Sequence, residues 1–396
     1  LSVSSQYQPD FCADSLGNLL KSKDEKVRSL AIEGLVAIKP DWLKGRLIEL
    51  LSYPNMQTQT DAAWGLSQIG GLPEEVENKL AKMASSSHPN ARVQAIQALK
   101  WFSESEFAFS VILDGFEDEL WSVQSSAIQA VVNFRRTESL PKLILIAKEE
   151  KGRLRNDAIK SLINLTGEDF GPSVETWQAW FDDRGDGYLL PDADIVESMI
   201  ETRAKNRHQG HTVAQSTYHG LPVPAGAVIF ILDTSGSMSS SYSSSETYFQ
   251  HFSSGLIDTV NALNNHNFNI ILFSTGIKVW RDKLVEATEK NREDATKWLG
   301  KQAVSGATNL YGALKAALSF EDVQTIFVMT DGNPSYGEYQ LEDSILAEVA
   351  RINRDRMIQI HTIVAGNAKA EFMLDLASAN GGESIDLTKA KEKNIK

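Results

Sequence analysis

Five residues in the second half of the chain have types and spacings that suit one chemistry. Asp233, Ser235 and Ser237 alternate in Asp233-Thr234-Ser235-Gly236-Ser237-Met238-Ser239. Thr308 sits in Ser305-Gly306-Ala307-Thr308-Asn309-Leu310, and Asp331 in Thr330-Asp331-Gly332. Two carboxylates and three hydroxyls make an all-oxygen donor set of low charge, suited to a hard octahedral cation such as Mg²⁺ or Mn²⁺. Gly236 permits the tight turn that presents both serines to one point. No Walker A sequence, G-x-G-x-x-G context or G-x-S-x-G turn competes with this reading. No general base is evident beside the five residues, which argues against a metallohydrolase.

The elements around them must bring three distant loops together. AVIFILD (Ala227–Asp233), NIILFS (Asn269–Ser274), TIFVMTD (Thr325–Asp331) and QIHTIVAG (Gln359–Gly366) are continuous apolar runs, the mark of buried parallel strands. VWRDKLVEA (Val279–Ala287) alternates polar and apolar, as an edge strand does. Helical periodicity separates them at 246–263, 292–301, 310–318, 341–354 and 371–379. Strand–helix alternation predicts an open, doubly wound α/β sheet that binds ligands at the carboxyl ends of its strands. Asp233 and Asp331 end two of the runs, and Thr308 lies just before a helix between them. The polar stretch SSSYSSS (Ser239–Ser245) is expected to be a solvated loop bordering them.

This pattern, D-x-S-x-S followed by a Thr and then an Asp, resembles the von Willebrand factor A domain and its metal-ion-dependent adhesion site. The resemblance runs from about Ala225 to Leu387 and takes in SGATNLYGAL, FVMTDGNPSYG, IHTIVAG and FMLDLASANGG. It implies a Rossmann-like fold. It also implies one divalent cation at Asp233, Ser235, Ser237, Thr308 and Asp331, Mg²⁺ foremost, with Mn²⁺ or Ca²⁺ as the alternatives. In the family the cation binds through hydroxyls and water-bridged carboxylates, and one coordination position is left for an acidic residue of a protein partner. The chain departs from the family after Met238, where SSSYSSS delays the first helix.

The first half is repetitive. VRSLAIEGL, TQTDAAWGL, ARVQAIQAL, VQSSAIQAV and LRNDAIKSL share one pattern, anchored by Ala31, Ala62, Ala95, Ala127 and Ala158 at intervals of 31, 33, 32 and 31. Apolar positions i, i+4, i+5 and i+8 share one helical face, and Ala lets a neighbouring helix come close. Partner segments such as Asp41–Leu51 and Pro73–Ala84 alternate with these. A helix pair every ~32 residues must stack on its neighbours to bury a core. The motif resembles HEAT repeats of the short bacterial type, so an all-α solenoid of about five repeats is expected. Trp177, Trp180 and Phe181 share a helical face that caps its open end.

The junction is expected to hold a helix over Pro191–Arg207. Its Arg184-Gly185-Asp186 is read as a chance triplet. Asp182, Asp186 and Gly187 fail the EF-hand pattern, since Ala193 stands where the closing Glu belongs. His208-x-x-His211 is read as solvent-facing, not as a metal pair. The expected organisation is a multidomain chain: solenoid over 1–183, connecting helix and linker over 184–224, and A domain over 225–396.

The 396 residues carry 39 basic and 52 acidic groups, a net charge of −13. Residues 1–183 account for 19 and 26 of these, so neither half is basic. That argues against a polyphosphate-neutralising surface and against RNA binding of the Ro type, whose helical part is longer and basic. Cys12 is the only cysteine, which excludes an intrachain disulfide. No apolar run is long enough to span a membrane. The opening LSVSSQYQPD has no initiator Met and no apolar leader, so an export signal removed upstream is compatible with it.

The expected function is a non-enzymatic, metal-dependent, adhesion-type scaffold. It would bind an Asp or Glu of a protein partner at the A domain, use the solenoid as a second surface, and work in a periplasmic or extracellular setting. The alternative is a cytoplasmic adaptor of an AAA+ ATPase of the chelatase kind. No nucleic-acid partner is expected.

Overall fold

A computed structural model describes residues 9–184, 187–206 and 217–387. It divides into two compact units, Leu1–Gly210 and His211–Lys396.

The first unit is built of helix pairs. They are α1 (Pro9–Leu19) with α2 (Glu25–Ile38), α3 (Leu43–Leu50) with α4 (Met56–Ile69), and α5 (Glu77–Ala84) with α6 (Pro89–Leu99). Two more follow: α7 (Glu106–Asp114) with α8 (Trp121–Ala130), and α9 (Ser139–Glu149) with α10 (Arg153–Thr166). The second helix of each pair packs on that of the next, α2 on α4 through to α8 on α10. The anchoring residues Ala31, Ala62, Ala95, Ala127 and Ala158 lie in these contacts and are all buried. Starts are set locally: Asp24 accepts from the Lys26 N–H, Asn55 from Thr58 and Ser105 from Ala108.

Polar side chains beside the alanines tie successive repeats together. Ser29 Oγ donates to Asp61 Oδ2, and at the equivalent positions three repeats later Ser125 Oγ donates to Asp157 Oδ2 at 2.6 Å. Arg28 Nε donates to Thr58 Oγ1 at 2.9 Å, and Ser161 Oγ to the Ile128 carbonyl at 2.9 Å. Buried polar groups stay favourable only when partnered in this way.

Helix α11 (Val174–Arg184) packs on α9 and turns Trp177 and Trp180 inward, where both are buried while Phe181 is half-buried. Trp177 Nε1 donates to the Gly171 carbonyl at 3.1 Å, and its ring meets Phe170 edge-on at 4.9 Å. The next helix, α12, covers Ala193–Asn206, and Pro191 precedes it. α12 packs on α10 with Val196 buried, so it is part of the solenoid unit and not of a free linker. Gly185, Asp186, His208 and His211 lie outside the described residues.

The second unit opens with β1 (Thr217–Tyr218) and β2 (Leu221–Pro222), an antiparallel hairpin. Its two-residue turn has φ of 50° at His219 and 93° at Gly220, as a mirror-type hairpin turn requires. Tyr218 seats the hairpin on the sheet, its ring edge-on to Phe230 at 5.5 Å and Phe327 at 6.0 Å. The expected 184–224 linker is therefore shared between the two units, because Val196 and Tyr218 each bury into a different core.

The chain continues through β3 (Gly226–Asp233), α13 (Tyr248–Ala262), β4 (His266–Phe273), β5 (Ile277–Val279), β6 (Val285–Glu286), α14 (Glu289–Leu299) and α15 (Leu310–Leu318). It ends with β7 (Thr325–Thr330), α16 (Glu342–Asn353), β8 (Gln359–Val364), α17 (Ala370–Ala379) and β9 (Ser384–Asp386). The sheet order is β5-β4-β3-β7-β8-β9, parallel from β4 to β9, with β5 and β6 antiparallel to β4. The single edge strand expected over Val279–Ala287 is broken into these two short pairings. Asn269 causes the break, its side chain donating to the Arg281 carbonyl at 2.7 Å while Trp280 folds onto Phe268 at 5.1 Å. Strands β4 and β7 flank β3 on opposite sides, which makes the carboxyl end of β3 a topological switch point.

Candidate functional site

Strands β3 and β7 run parallel, with Leu232 paired to Met329, so Asp233 and Thr330 end side by side. Asp233 is fully buried, and both of its oxygens are held. Oδ1 accepts the Ser235 N–H at 2.7 Å, and Oδ2 accepts the Thr330 hydroxyl at 2.6 Å. Ser235 Oγ lies 3.0 Å from Ser237 Oγ, which donates to Asp331 Oδ1 at 2.7 Å. A hydrogen-bonded chain thus runs Ser235–Ser237–Asp331 beside the Asp233 carboxylate.

Thr308 arrives on the loop before α15. Its N–H donates to Ser335 Oγ at 3.0 Å, and its carbonyl accepts from the N–H groups of Ser335 and Tyr336 at 3.0 and 3.3 Å. A methyl placed on Gly332 would sit 3.4 Å from Ser237 Oγ and 3.6 Å from Thr308 Oγ1, so both hydroxyls face that glycine. The loops are stitched by the Gly236 N–H to the Gly306 carbonyl at 2.9 Å and by Ser305 to Thr234 at 2.9 Å. All five expected residues therefore gather at one sheet edge.

Thr330 and Ser335 lie outside that expected set, yet they fix Asp233 and Thr308. The signal for Thr330 was a hydroxyl closing an otherwise apolar strand. Ser335 lies in FVMTDGNPSYG, on the rim expected to flank the metal, but its hold on Thr308 depends on how that loop returns from β7.

Burial pushes the Asp233 carboxyl up to about 6, against the hydrogen bonds from Thr330 and Ser235, and the Asp331 charge adds to the rise. Burial also raises Asp331, opposed by the Ser237 hydrogen bond. Among the described residues neither carboxylate has an ion-pair partner, and no three His, Cys, Asp or Glu side chains gather as a metal cage. Two buried anions with hydroxyl neighbours and no cation fit a hard divalent ion better than a soft one.

The Ser239–Ser245 stretch is the solvated loop expected, exposed at every serine and closed by its own hydrogen bonds. The Tyr242 and Ser243 N–H groups donate to the Glu246 carbonyl at 2.9 and 3.1 Å, and Tyr248 donates to Ser240 at 3.0 Å. The Tyr242 ring stacks on His251 at 3.7 Å and so pins the turn to α13, while the serines stay exposed.

The family described as von Willebrand factor type A domain matches residues 226–385, and the HEAT repeats family matches 13–100 and 77–163. The chain joins HEAT repeats to a von Willebrand factor A domain. The chain is 31% identical over 161 residues to von Willebrand factor A domain-containing protein 3A of Homo sapiens, covering 39% of this chain and 13% of that protein. Inter-alpha-trypsin inhibitor heavy chain H3 of Mesocricetus auratus is 26% identical over 189 residues, 44% of this chain and 20% of that one. The chain thus spans a fifth or less of either relative's length. A solved von Willebrand factor type A structure from Catenulispora acidiphila is 16% identical, with a TM-score of 0.36 over 44% of this chain and 42% of that one, a likeness on which nothing further rests. Among the described residues no helix is long and apolar enough to cross a membrane.

Proposed function

We propose that the A domain binds a carboxylate-bearing protein partner through a divalent cation, Mg²⁺ first, held by Asp233, Ser235, Ser237, Thr308 and Asp331. The reading rests on one observation, a pair of buried carboxylates that have no ion-pair partner among the described residues, beside the Ser235–Ser237–Asp331 chain. The bound cation supplies an electrophilic centre whose shell a partner's Asp or Glu completes. Three of the five donors are neutral hydroxyls, so the site keeps little negative charge to repel an incoming carboxylate. Thr330 and the Ser235 N–H hold Asp233 in place, and Ser335 holds Thr308, so the donors need little reorganisation.

The proposal is binding without turnover, with both carboxylates assigned to holding the cation and the remaining partners of the donors being hydroxyls and backbone groups. The HEAT solenoid serves as a second interaction surface, and an exported location belongs to the same proposal, checked by cell fractionation. An array of matched peptides carrying Asp, Glu, Asn or Gln tests the core of it. The protein in Mg²⁺ should bind only the carboxylate peptides, lose them in EDTA, and lose them in the Ser235→Ala variant. Equal binding by that variant overturns the reading.

A further inference from the structure

The fourth and fifth repeats enclose a groove of about 130 Å³. Its floor is apolar, with Phe116, Ile128 and Leu154 buried, while Leu145 stands open at the edge with 49% of its surface exposed. The rim carries Glu117, Glu149 and Glu150, all exposed, against Lys142. Small-molecule pockets run to several hundred Å³, so this groove suits a single large apolar side chain.

Beyond Glu117 a second groove of about 460 Å³ lies between the third and fourth repeats, lined in part by Asp114, Asp118 and Glu119. Its cation, Arg92, is committed internally, donating to both Asp118 oxygens at 2.8 and 2.9 Å. Among the described residues Asp114, Glu117, Glu149 and Glu150 have no ion-pair partner. The surface is therefore an apolar slot continued by uncompensated negative charge.

We infer that this face of the solenoid docks a basic amphipathic protein segment. One apolar side chain fills the smaller groove beside Leu145, and flanking Lys or Arg side chains face Glu117, Glu149 and Glu150. Charge complementarity selects this occupant, because an acidic segment or a nucleic acid would meet Glu117, Glu149 and Glu150 against Lys142 alone. The inference rests on the reading of the solenoid as a second interaction surface and needs no cation at the A domain.

The test uses the full chain in EDTA at physiological salt, with fluorescence anisotropy of labelled peptides of alternating Lys-Leu, Lys-Gly and Glu-Leu pairs. The Lys-Leu peptide should bind saturably, and the Lys-Gly and Glu-Leu peptides about tenfold or more weaker. The double variant Glu149→Lys, Glu150→Lys, at the end of α9 where the helix dipole favours cations, should weaken Lys-Leu binding about tenfold. Leu145→Gln should weaken it several-fold without changing charge.

A charge-matched control, Glu74→Lys with Glu75→Lys on another repeat, should bind within about twofold of wild type. Melting temperatures confirm that each variant is folded. The inference is overturned by an unbound Lys-Leu peptide, by equal loss in the control pair, or by a Lys-Gly peptide that binds as well. Asp233→Asn should bind the Lys-Leu peptide like wild type, so failure of the cation site leaves this result standing.

Discussion

The two units bury polar side chains to opposite ends. In the solenoid, Asp157 is buried between Ser125 of the preceding repeat and Arg153 of its own helix, whose Nε lies 2.8 Å from both carboxylate oxygens. The charge is neutralised within the fold. In the A domain, Asp233 and Asp331 are buried as deeply, but their partners are hydroxyls and backbone N–H groups. A buried charge that the protein itself pairs is architecture. A buried charge it leaves unpaired is capacity for a ligand, carried at a cost to the empty domain.

The largest effect expected is in the solenoid core. Ala95→Glu forces a charge between α4, α6 and α8 and should cost about 3–5 kcal/mol, read by urea denaturation followed by far-UV circular dichroism. A variant as stable as wild type would show that the repeats stack in another register. Asp157→Ala comes next, because it strands Arg153 without its counter-charge, and a loss of about 3 kcal/mol is expected in the same experiment.

The sharpest contrast is the sign at the other buried aspartate. In metal-free protein Asp233→Asn keeps the side-chain shape and removes an uncompensated charge; its oxygen still accepts the Ser235 N–H, while its amide N–H donates to a reoriented Thr330 hydroxyl, so it should stabilise by about 1–2 kcal/mol. If Asp233→Asn and Asp157→Ala both destabilise, the distinction between paired and unpaired burial is wrong.

The smallest effect concerns His219 at the hairpin turn. Burial lowers its pKa to about 4, and the neighbouring His251 adds to the lowering. The folded state thus binds fewer protons than the unfolded chain between about pH 6.5 and 4. This contribution is complete above pH 6.5 and is lost as pH falls towards 4. His219 is partly exposed, so the loss is about 1 kcal/mol. Asn tolerates the positive φ of this position, and His219→Asn should flatten the acid limb of the A-domain melting curve and leave the solenoid transition unchanged.

What was legible in the sequence follows the same division. The alanine period revealed the solenoid because each repeat must present the same face to its neighbour, and Ala31 to Ala158 are buried as that demands. The period was silent on the docking face, since Leu145 and Glu149 occupy exposed positions of α9, where packing imposes no pattern. In the A domain, residue type at strand ends singled out Asp233 and Asp331, which the parallel pairing of β3 and β7 brings to one sheet edge. The hydrogen bond of Ser335 to Thr308 and the stacking of Tyr242 on His251 were hidden, as both depend on how loops return in space. The 184–224 boundary misled for a related reason. Pro191, Gly220 and Pro224 punctuate the chain as linkers do, while Val196 and Tyr218 between them were free to enter either core.

Isothermal titration of Mg²⁺ into chelator-treated protein tests the central claim most directly. The account predicts one ion bound per wild-type chain, none for Asp233→Asn or Ser235→Ala, and full stoichiometry for Asp157→Ala measured where that variant is still folded. Equal Mg²⁺ binding by wild type and Asp233→Asn would contradict it and would leave the buried pair at the sheet edge without a function.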